Sequence, residues 1–135
     1  MIQERTLIFM EFKLYYCTHC GNIAVLLHDA GVPLVCCGQK MEALIPGSVD
    51  AAQEKHVPAV TRTGSTVEVT VGSVEHPMLA EHWIEWILLE TDRGYAVRRL
   101  SPGAAPRASF LLGDGETPKT VYAYCNLHGL WKTEL

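Results

Sequence analysis

The chain has 135 residues with a formal net charge of −4 at pH 7, a length that allows one β-sandwich-sized domain and one small module but not two full hydrophobic cores. The acidic balance and the absence of a Lys/Arg-rich stripe argue against a nucleic acid partner, because duplex binding depends first on phosphate neutralisation. Its five cysteines, an odd number, favour thiolate ligands in a reducing compartment over a disulfide framework, so we expect a cytoplasmic protein.

The first dozen residues, MIQERTLIFMEF, have no long apolar core and no small-residue cleavage site, so we expect no signal peptide and assign them no function. The apolar run WIEWILL is interrupted by Glu85 and falls short of the roughly 18 residues that span a bilayer. We therefore expect no membrane partner.

Short β-prone runs, FKLYYC, IAVLLH and VPLVCC, occupy residues 12–45 together with four cysteines and three glycines. This pattern is typical of a small β module held together by a metal, because its own core contains only a few side chains.

From Val57 onward the runs alternate between apolar and polar residues at the spacing of a β-sandwich. In TVEVTVGSV, the three valines of TVEVTV share one face of a strand and Glu68 and Thr70 share the other. Further strand candidates are HWIEWILLET, GYAVRRL, RASFLLG and TVYAYC, separated by turn-like DRG, SPGAAP and GDGETP. One or two helical turns fit SVDAAQEK, and no long amphipathic helix is present. The sequence therefore predicts an all-β protein.

Four cysteines in the small module have the spacing of a metal site. Cys17 and Cys20 lie on one tight turn that Gly21 relieves, and Cys36 and Cys37 follow with no residue between them. Four soft ligands suit tetrahedral zinc or iron, and ligand type alone leaves both metals open.

A second group of donors lies in the C-terminal part, where Cys125 and His128 form a Cys-x-x-His motif. Any one of these histidines alone is more often an ordinary core or surface residue. Together, five ligands on an octahedral ion leave one position open, which distinguishes a catalytic metal from a structural one. A thiolate opposite that position favours activation of an oxygen species. The five donors are His56, His76, His82, Cys125 and His128.

These residues carry a family resemblance. The segment YYCTHCGNIAVLLHDAGVPLVCCGQKM resembles the desulforedoxin-like domain of desulfoferrodoxins, the two-iron superoxide reductases. EKHVP, EHPMLAEHWIEWI and YCNLHGLW resemble the superoxide reductase domain that follows it. The resemblance covers about residues 14–131, and both cysteine pairs, the Glu-Lys-His triplet, the two middle histidines and the final Cys-x-x-His occur in the family order.

The resemblance implies a rubredoxin-type, desulforedoxin-like iron module in residues 1–46 and a neelaredoxin-like, immunoglobulin-like β-sandwich in residues 47–135. It implies two iron ions per chain, with zinc as the alternative metal at the four cysteines. The implied ligands of an electron-relaying centre are Cys17, Cys20, Cys36 and Cys37. At the reactive iron, the implied equatorial ligands are His56, His76, His82 and His128, with Cys125 as the axial ligand.

The same resemblance gives roles to two charged residues. Lys55 matches the lysine that attracts the anion and helps to protonate the reduced product, and Glu54 matches the glutamate that takes the sixth position on the oxidised metal. A Glu-Lys pair on a loop is otherwise usually solvated charge. The implied reaction is one-electron reduction of superoxide to hydrogen peroxide, with a rubredoxin-like electron donor and a homodimeric protein.

Two alternatives remain open from the residues. In the first, the chain is a metal-stapled electron carrier or binding protein without turnover. In the second, the metal dismutates superoxide, which then acts as its own reductant.

Overall fold

A computed structural model describes residues 12–135, which form two compact units, residues 12–44 and residues 45–135. The first eleven residues lie outside the described part of the chain, and with them most of the N-terminal segment discussed above and the start of the predicted 1–46 module. Among residues 12–135, no helix is long and apolar enough to cross a membrane.

The first unit consists of five short strands. Three of them form an antiparallel sheet in the order β2-β1-β5, and β3 pairs with β4 as a hairpin. Within residues 12–44 only Leu14 and Cys17 are buried, so the unit has almost no hydrophobic core of its own. The strands are β1 (Leu14–Tyr16), β2 (Ile23–Val25), β3 (Val35–Cys36), β4 (Gln39–Lys40) and β5 (Glu42–Ala43).

The second unit begins with a single helical turn, α1 (Gln53–His56), within the segment SVDAAQEKH. Seven strands follow in two antiparallel sheets, with the orders β10-β7-β6 and β12-β11-β8-β9. They are β6 (Pro58–Thr63), β7 (Thr66–Val71), β8 (Ile84–Thr91), β9 (Gly94–Arg99), β10 (Arg107–Leu111), β11 (Pro118–Cys125) and β12 (Gly129–Glu134).

The hydrophobic core lies between these two sheets. Val67, Val69 and Val71 of β7 are buried, as their alternation predicts, while Glu68 is exposed. Residues of the opposite sheet complete the core: Ile84, Ile87, Leu89, Val121, Ala123 and Cys125. Full burial of a large aliphatic side chain, such as Ile or Leu, contributes about 1.5–3 kcal/mol to the stability of the fold. The predicted all-β sandwich is confirmed.

The pairing of β8 with β11 contains a bulge next to the second donor group. Tyr124 pairs with Trp86, but Cys125 pairs with Ile84, so Glu85 is an extra residue on β8. An extra residue reverses which face the following side chains point to. Ile84 can therefore point into the core although it is three residues before Ile87, and Cys125 ends the ladder fully buried.

The sequence pattern singles out neither β6 nor β12, because PAVTRT and GLWKTE are largely polar or exposed. The apolar–polar alternation of TVEVTV ends at Val71, and β7 ends at the same residue. Beyond it, the amide of Val74 donates to the carbonyl oxygen of Glu54 (2.9 Å).

Candidate metal centres

Five donor side chains converge at one end of the sandwich. His56 ends α1, His76 lies in the loop after β7, and His82 precedes β8. Cys125 ends β11, and His128 lies in the short turn before β12. One ligand atom from each of these five residues lies within 4.8 Å of all the others. The strand ends therefore bring together residues that are up to 72 positions apart in the chain.

Two of the rings are oriented by backbone carbonyl groups. The Nδ1–H of His56 donates to the carbonyl oxygen of Ala52 (2.7 Å), and the Nδ1–H of His76 donates to that of Pro77 (2.6 Å). In the neutral rings both Nε2 atoms then carry a lone pair. These two Nε2 atoms are only 3.1 Å apart. Two lone pairs at that distance repel each other unless a cation lies between them, so this arrangement favours a bound metal ion.

The remaining donors fit the same interpretation. Nε2 of His82 is buried and has no hydrogen-bond partner among residues 12–135, and an unpartnered buried nitrogen is costly unless something binds it. Sγ of Cys125 lies 3.4 Å from Nε2 of His76 and 3.8 Å from Nδ1 of His128. Four imidazole nitrogens and one thiolate suit a redox-active transition metal such as iron. The residues present therefore fit the implied metal.

Burial keeps these donors in the form that a metal needs. Burial, with smaller contributions from the neighbouring histidines, lowers the pKa of His76 to about 4. Burial is also the main cause of the lowered pKa of His56 and of His82. At neutral pH these imidazoles are uncharged and free to bind a cation.

The metal-free protein should lose stability in mild acid. The pKa of His76 is about 4 in the folded state against an ordinary value of 6.5, so between these pH values only the unfolded chain binds the proton. The free energy of unfolding should therefore fall as the pH is lowered from 6.5 to 4, by up to about 1.4 kcal/mol per pH unit from this residue. Urea unfolding at several pH values measures the slope. We expect a shallower slope in His76→Gln, and a wild-type stability that does not change between pH 7 and 5 would contradict the assignment.

The segment that carries Glu54, Lys55 and His56 is hydrogen-bonded to the residues that follow β7. The carbonyl oxygen of Glu54 accepts hydrogen bonds from the amide of Val74 (2.9 Å) and from Oγ of Ser73 (3.2 Å). Both charged side chains are exposed. The ammonium group of Lys55 is nevertheless one of the charges that lower the pKa of His82, after burial and His128. Lys55 therefore contributes positive potential at the histidine group.

Gly72 allows the backbone of residues 54–57 to lie close to the end of β7. A Cβ atom at this position would lie 2.6 Å from the carbonyl oxygen of Glu54 and 2.9 Å from that of Val57. Both contacts are with backbone, which cannot rotate away. Neither the composition nor the motifs of the sequence mark Gly72 as special.

We expect Gly72→Ala to destabilise the second unit by about 1–3 kcal/mol, the usual cost of overpacking, because the Glu54–His56 backbone must move. Denaturant unfolding of the metal-free protein measures this cost. Gly113→Ala is the matched control, since a Cβ there meets only side-chain atoms at 3.5 and 3.7 Å. Equal stability of the two variants would show that Gly72 does not set the position of the loop.

The four cysteines of the first unit also come together. Their Sγ atoms lie within 4.8 Å of one another, with 3.6 Å between Cys20 and Cys36 and 3.9 Å between Cys36 and Cys37. Cys37 adopts a left-handed backbone conformation (φ 54°), which is unusual for a residue with a side chain. This conformation allows two adjacent residues to point their sulfur atoms to the same place.

The thiols of this group differ in acidity. The backbone N–H of Cys20 donates to Sγ of Cys17 (3.5 Å) and lowers the pKa of Cys17 to about 6. The interaction with Cys20 is the largest cause that raises the pKa of Cys37, to about 12. Crowded thiols resist losing further protons without a cation to neutralise them, so the group as a whole fits a divalent or trivalent metal.

One further residue supports the histidine group. The indole ring of Trp131 stacks on His56 with ring centres 5.0 Å apart, and its Nε1–H donates to the carbonyl oxygen of His128 (3.0 Å). The hydrogen bond to His128 is local, because Trp131 follows His128 by three residues. The stacking of Trp131 on His56 depends on the fold, because the two residues are far apart in the sequence.

Comparison with known proteins places this geometry in a family. The sequence profile described as desulfoferrodoxin matches residues 48–134, and the profile of the desulfoferrodoxin N-terminal domain matches residues 10–44. A desulfoferrodoxin of Nitratidesulfovibrio vulgaris is 48% identical over 125 residues, which cover 92% of this chain and 97% of that protein. The chain belongs to the desulfoferrodoxin family.

Relatives of this chain include proteins named for an activity. A superoxide reductase of Pyrococcus horikoshii is 37% identical over 106 residues, covering 65% of this chain and 91% of that protein. The crystal structure of the superoxide reductase from Treponema pallidum superposes with a TM-score of 0.77 at 35% identity, covering 92% of this chain and 99% of that one. The fold described above is thus similar to that structure over 92% of the chain.

Proposed function

We propose that the chain is an oxidoreductase that reduces superoxide to hydrogen peroxide at iron bound by His56, His76, His82, Cys125 and His128. The observation that carries the proposal is the convergence of four imidazoles and one thiolate, with two bare Nε2 atoms 3.1 Å apart. The names of the superoxide reductases among its relatives support the choice of substrate.

Ferrous iron bound by these donors would supply the single electron that takes superoxide to the oxidation level of peroxide. The residues of the chain prepare the site for that chemistry. The buried rings stay neutral at pH 7 because of their lowered pKa values, so their nitrogen lone pairs remain available. Cys125 is fully buried, which protects its sulfur from solvent and from oxidants larger than the substrate.

We assign roles in the reaction to Lys55 and Glu54, the two exposed charged residues of α1. Lys55 provides the local positive potential that attracts a small anion to an otherwise acidic protein. Its ammonium group can also donate a proton or a hydrogen bond to the reduced product. Glu54, on the same turn, would bind the metal as a further ligand once the metal is oxidised. The bonds from Ser73 and Val74 to the Glu54 carbonyl fix the backbone of this turn beside His56, which supports the two assignments.

We further propose that residues 1–46 form an electron-relay module with iron at Cys17, Cys20, Cys36 and Cys37, while residues 47–135 form the reductase domain. Zinc at the four cysteines is the alternative for a structural role. A rubredoxin-like protein serves as electron donor, and the functional protein is a homodimer in a reducing compartment such as the cytoplasm.

Metal analysis combined with visible spectroscopy tests this proposal. Protein prepared without excess zinc should contain two iron atoms per chain and show thiolate-to-iron absorption from both centres. A colourless, iron-free protein with full zinc occupancy would instead support a metal-stapled binding protein without turnover.

A further inference from the structure

The side chain of Asn126 connects two of the segments that carry metal donors. Its Oδ1 accepts a hydrogen bond from the amide of Trp83 (2.9 Å), and its Nδ2 donates to the carbonyl oxygen of Glu81 (3.0 Å). Its own amide donates to the carbonyl oxygen of Trp83 (3.2 Å). Asn126 lies directly after Cys125, whereas Glu81 and Trp83 flank His82. One residue thus bonds to the chain on both sides of a candidate ligand.

These bonds lie beyond the last residue pair of the sheet. The ladder between β8 and β11 ends at the pair Ile84 and Cys125, just beyond the bulge at Glu85. On its other side, the backbone of His82 pairs with Leu79 through two hydrogen bonds of 2.9 and 3.1 Å. The amide side chain of Asn126 therefore extends the connection past the end of the ladder.

His82 depends on this backbone support more than its neighbours do. The rings of His56 and His76 are each fixed by a hydrogen bond from Nδ1 to a carbonyl oxygen. The ring of His82 makes no hydrogen bond within residues 12–135, and its buried Nε2 has no partner there. Its place in the donor group is therefore set by packing and by where the backbone of residues 81–83 lies.

We infer that Asn126 is a positioning residue. Its hydrogen bonds to the backbone on both sides of His82 hold this ligand at the metal site, close to Cys125 and His128. This inference rests on the proposed binding of metal by these donors. Groups that orient metal ligands commonly change metal affinity about 10- to 100-fold when they are removed. Asn126→Ala should therefore loosen one imidazole without removing any ligand.

The first test measures the release of ferrous iron to a chelator from the iron-loaded full-length protein. We expect Asn126→Ala to release iron from the second centre about 10- to 100-fold faster than wild type, with a shifted thiolate-to-iron absorption band. Thr91→Val is the matched control. It removes the bond from the hydroxyl of Thr91 to Glu116 (2.6 Å) and the bond that this hydroxyl accepts from the amide of Arg93 (3.1 Å) at the opposite end of β8. Its iron release and absorption band should equal those of wild type.

The second test needs no metal. In the metal-free protein, the amide hydrogen of Trp83 should exchange with solvent faster in Asn126→Ala than in wild type, because its acceptor is gone. Unchanged Trp83 exchange, or faster exchange with unchanged iron release and absorption, would overturn the inference.

A second variant covers the case in which Asn126→Ala does not fold. Asn126→Asp keeps a carboxylate oxygen as the acceptor for the amide of Trp83, but it replaces the donor to Glu81 by a second acceptor, which repels that carbonyl oxygen. We therefore expect its iron release to be faster than that of wild type by about ten-fold, and a rate equal to wild type would overturn the inference. A wild type that binds no iron at these donors would instead contradict the proposed function, and the exchange test would still apply.

Discussion

Cys125→Ser is expected to abolish superoxide reduction while the four-cysteine centre remains coloured. The substitution replaces the only sulfur donor of the second group by an oxygen and changes little else, because the two side chains have nearly the same shape. Cys125 is fully buried at the end of the β8–β11 ladder, and a buried hydroxyl beside histidine nitrogens keeps hydrogen-bond partners. The thiolate-to-iron absorption of the second centre should disappear.

Cys37→Ser is the matched control for this prediction, since it makes the same chemical change in the other donor group. It should alter the spectrum of the first centre and leave the absorption of the second centre in place. Full reductase activity in Cys125→Ser, measured with an artificial electron donor, would show that the thiolate is not needed at the reactive metal.

Lys55→Ala is expected to slow the reaction with superoxide about ten-fold or more and to weaken its dependence on ionic strength, because local positive charge accelerates the encounter with an anion. The side chain is exposed, so the variant should keep its stability and both metals. Pulse radiolysis or stopped-flow measurement at several salt concentrations gives the rate constant and its salt slope.

Lys119→Ala controls for the change in net charge. Lys119 lies near the start of β11, at the opposite end of that strand from Cys125. Its removal should leave the rate constant almost unchanged. If the two lysine variants behave alike, the attraction is a property of the whole protein and Lys55 has no special role.

The donor residues could be predicted from the sequence because metal chemistry uses few residue types. The Cys-x-x-Cys turn, the adjacent cysteines and the final Cys-x-x-His are local patterns, so the sequence alone brings each pair together. His56, His76 and His82 are not local to one another, so the sequence grouped them only as histidines of the C-terminal part, and the family resemblance supplied their roles as equatorial ligands. The alternation of Val67, Val69 and Val71 predicted β7 for a similar reason, since side-chain direction along a strand is a local property.

The supporting contacts could not be predicted in the same way. The roles of Gly72 and Asn126 depend on where distant carbonyl groups lie, namely those of Glu54 and Glu81. Glu85 looks like a polar residue in an apolar run, and only the pairing of Cys125 with Ile84 identifies it as a bulge. Strand β12 is too polar to stand out, and it is fixed mainly by pairing with β11. Such features follow from the tertiary path of the backbone.

The stoichiometry of superoxide consumption tests the central claim most directly. Iron-loaded protein is supplied with reduced rubredoxin as electron donor, and hydrogen peroxide, oxygen and oxidised donor are measured for each superoxide consumed. Reduction uses one electron and two protons per superoxide, so we predict one hydrogen peroxide and one oxidised donor for each superoxide, with no oxygen evolved. Dismutation would contradict this account by producing oxygen and hydrogen peroxide in equal amounts with no donor consumed.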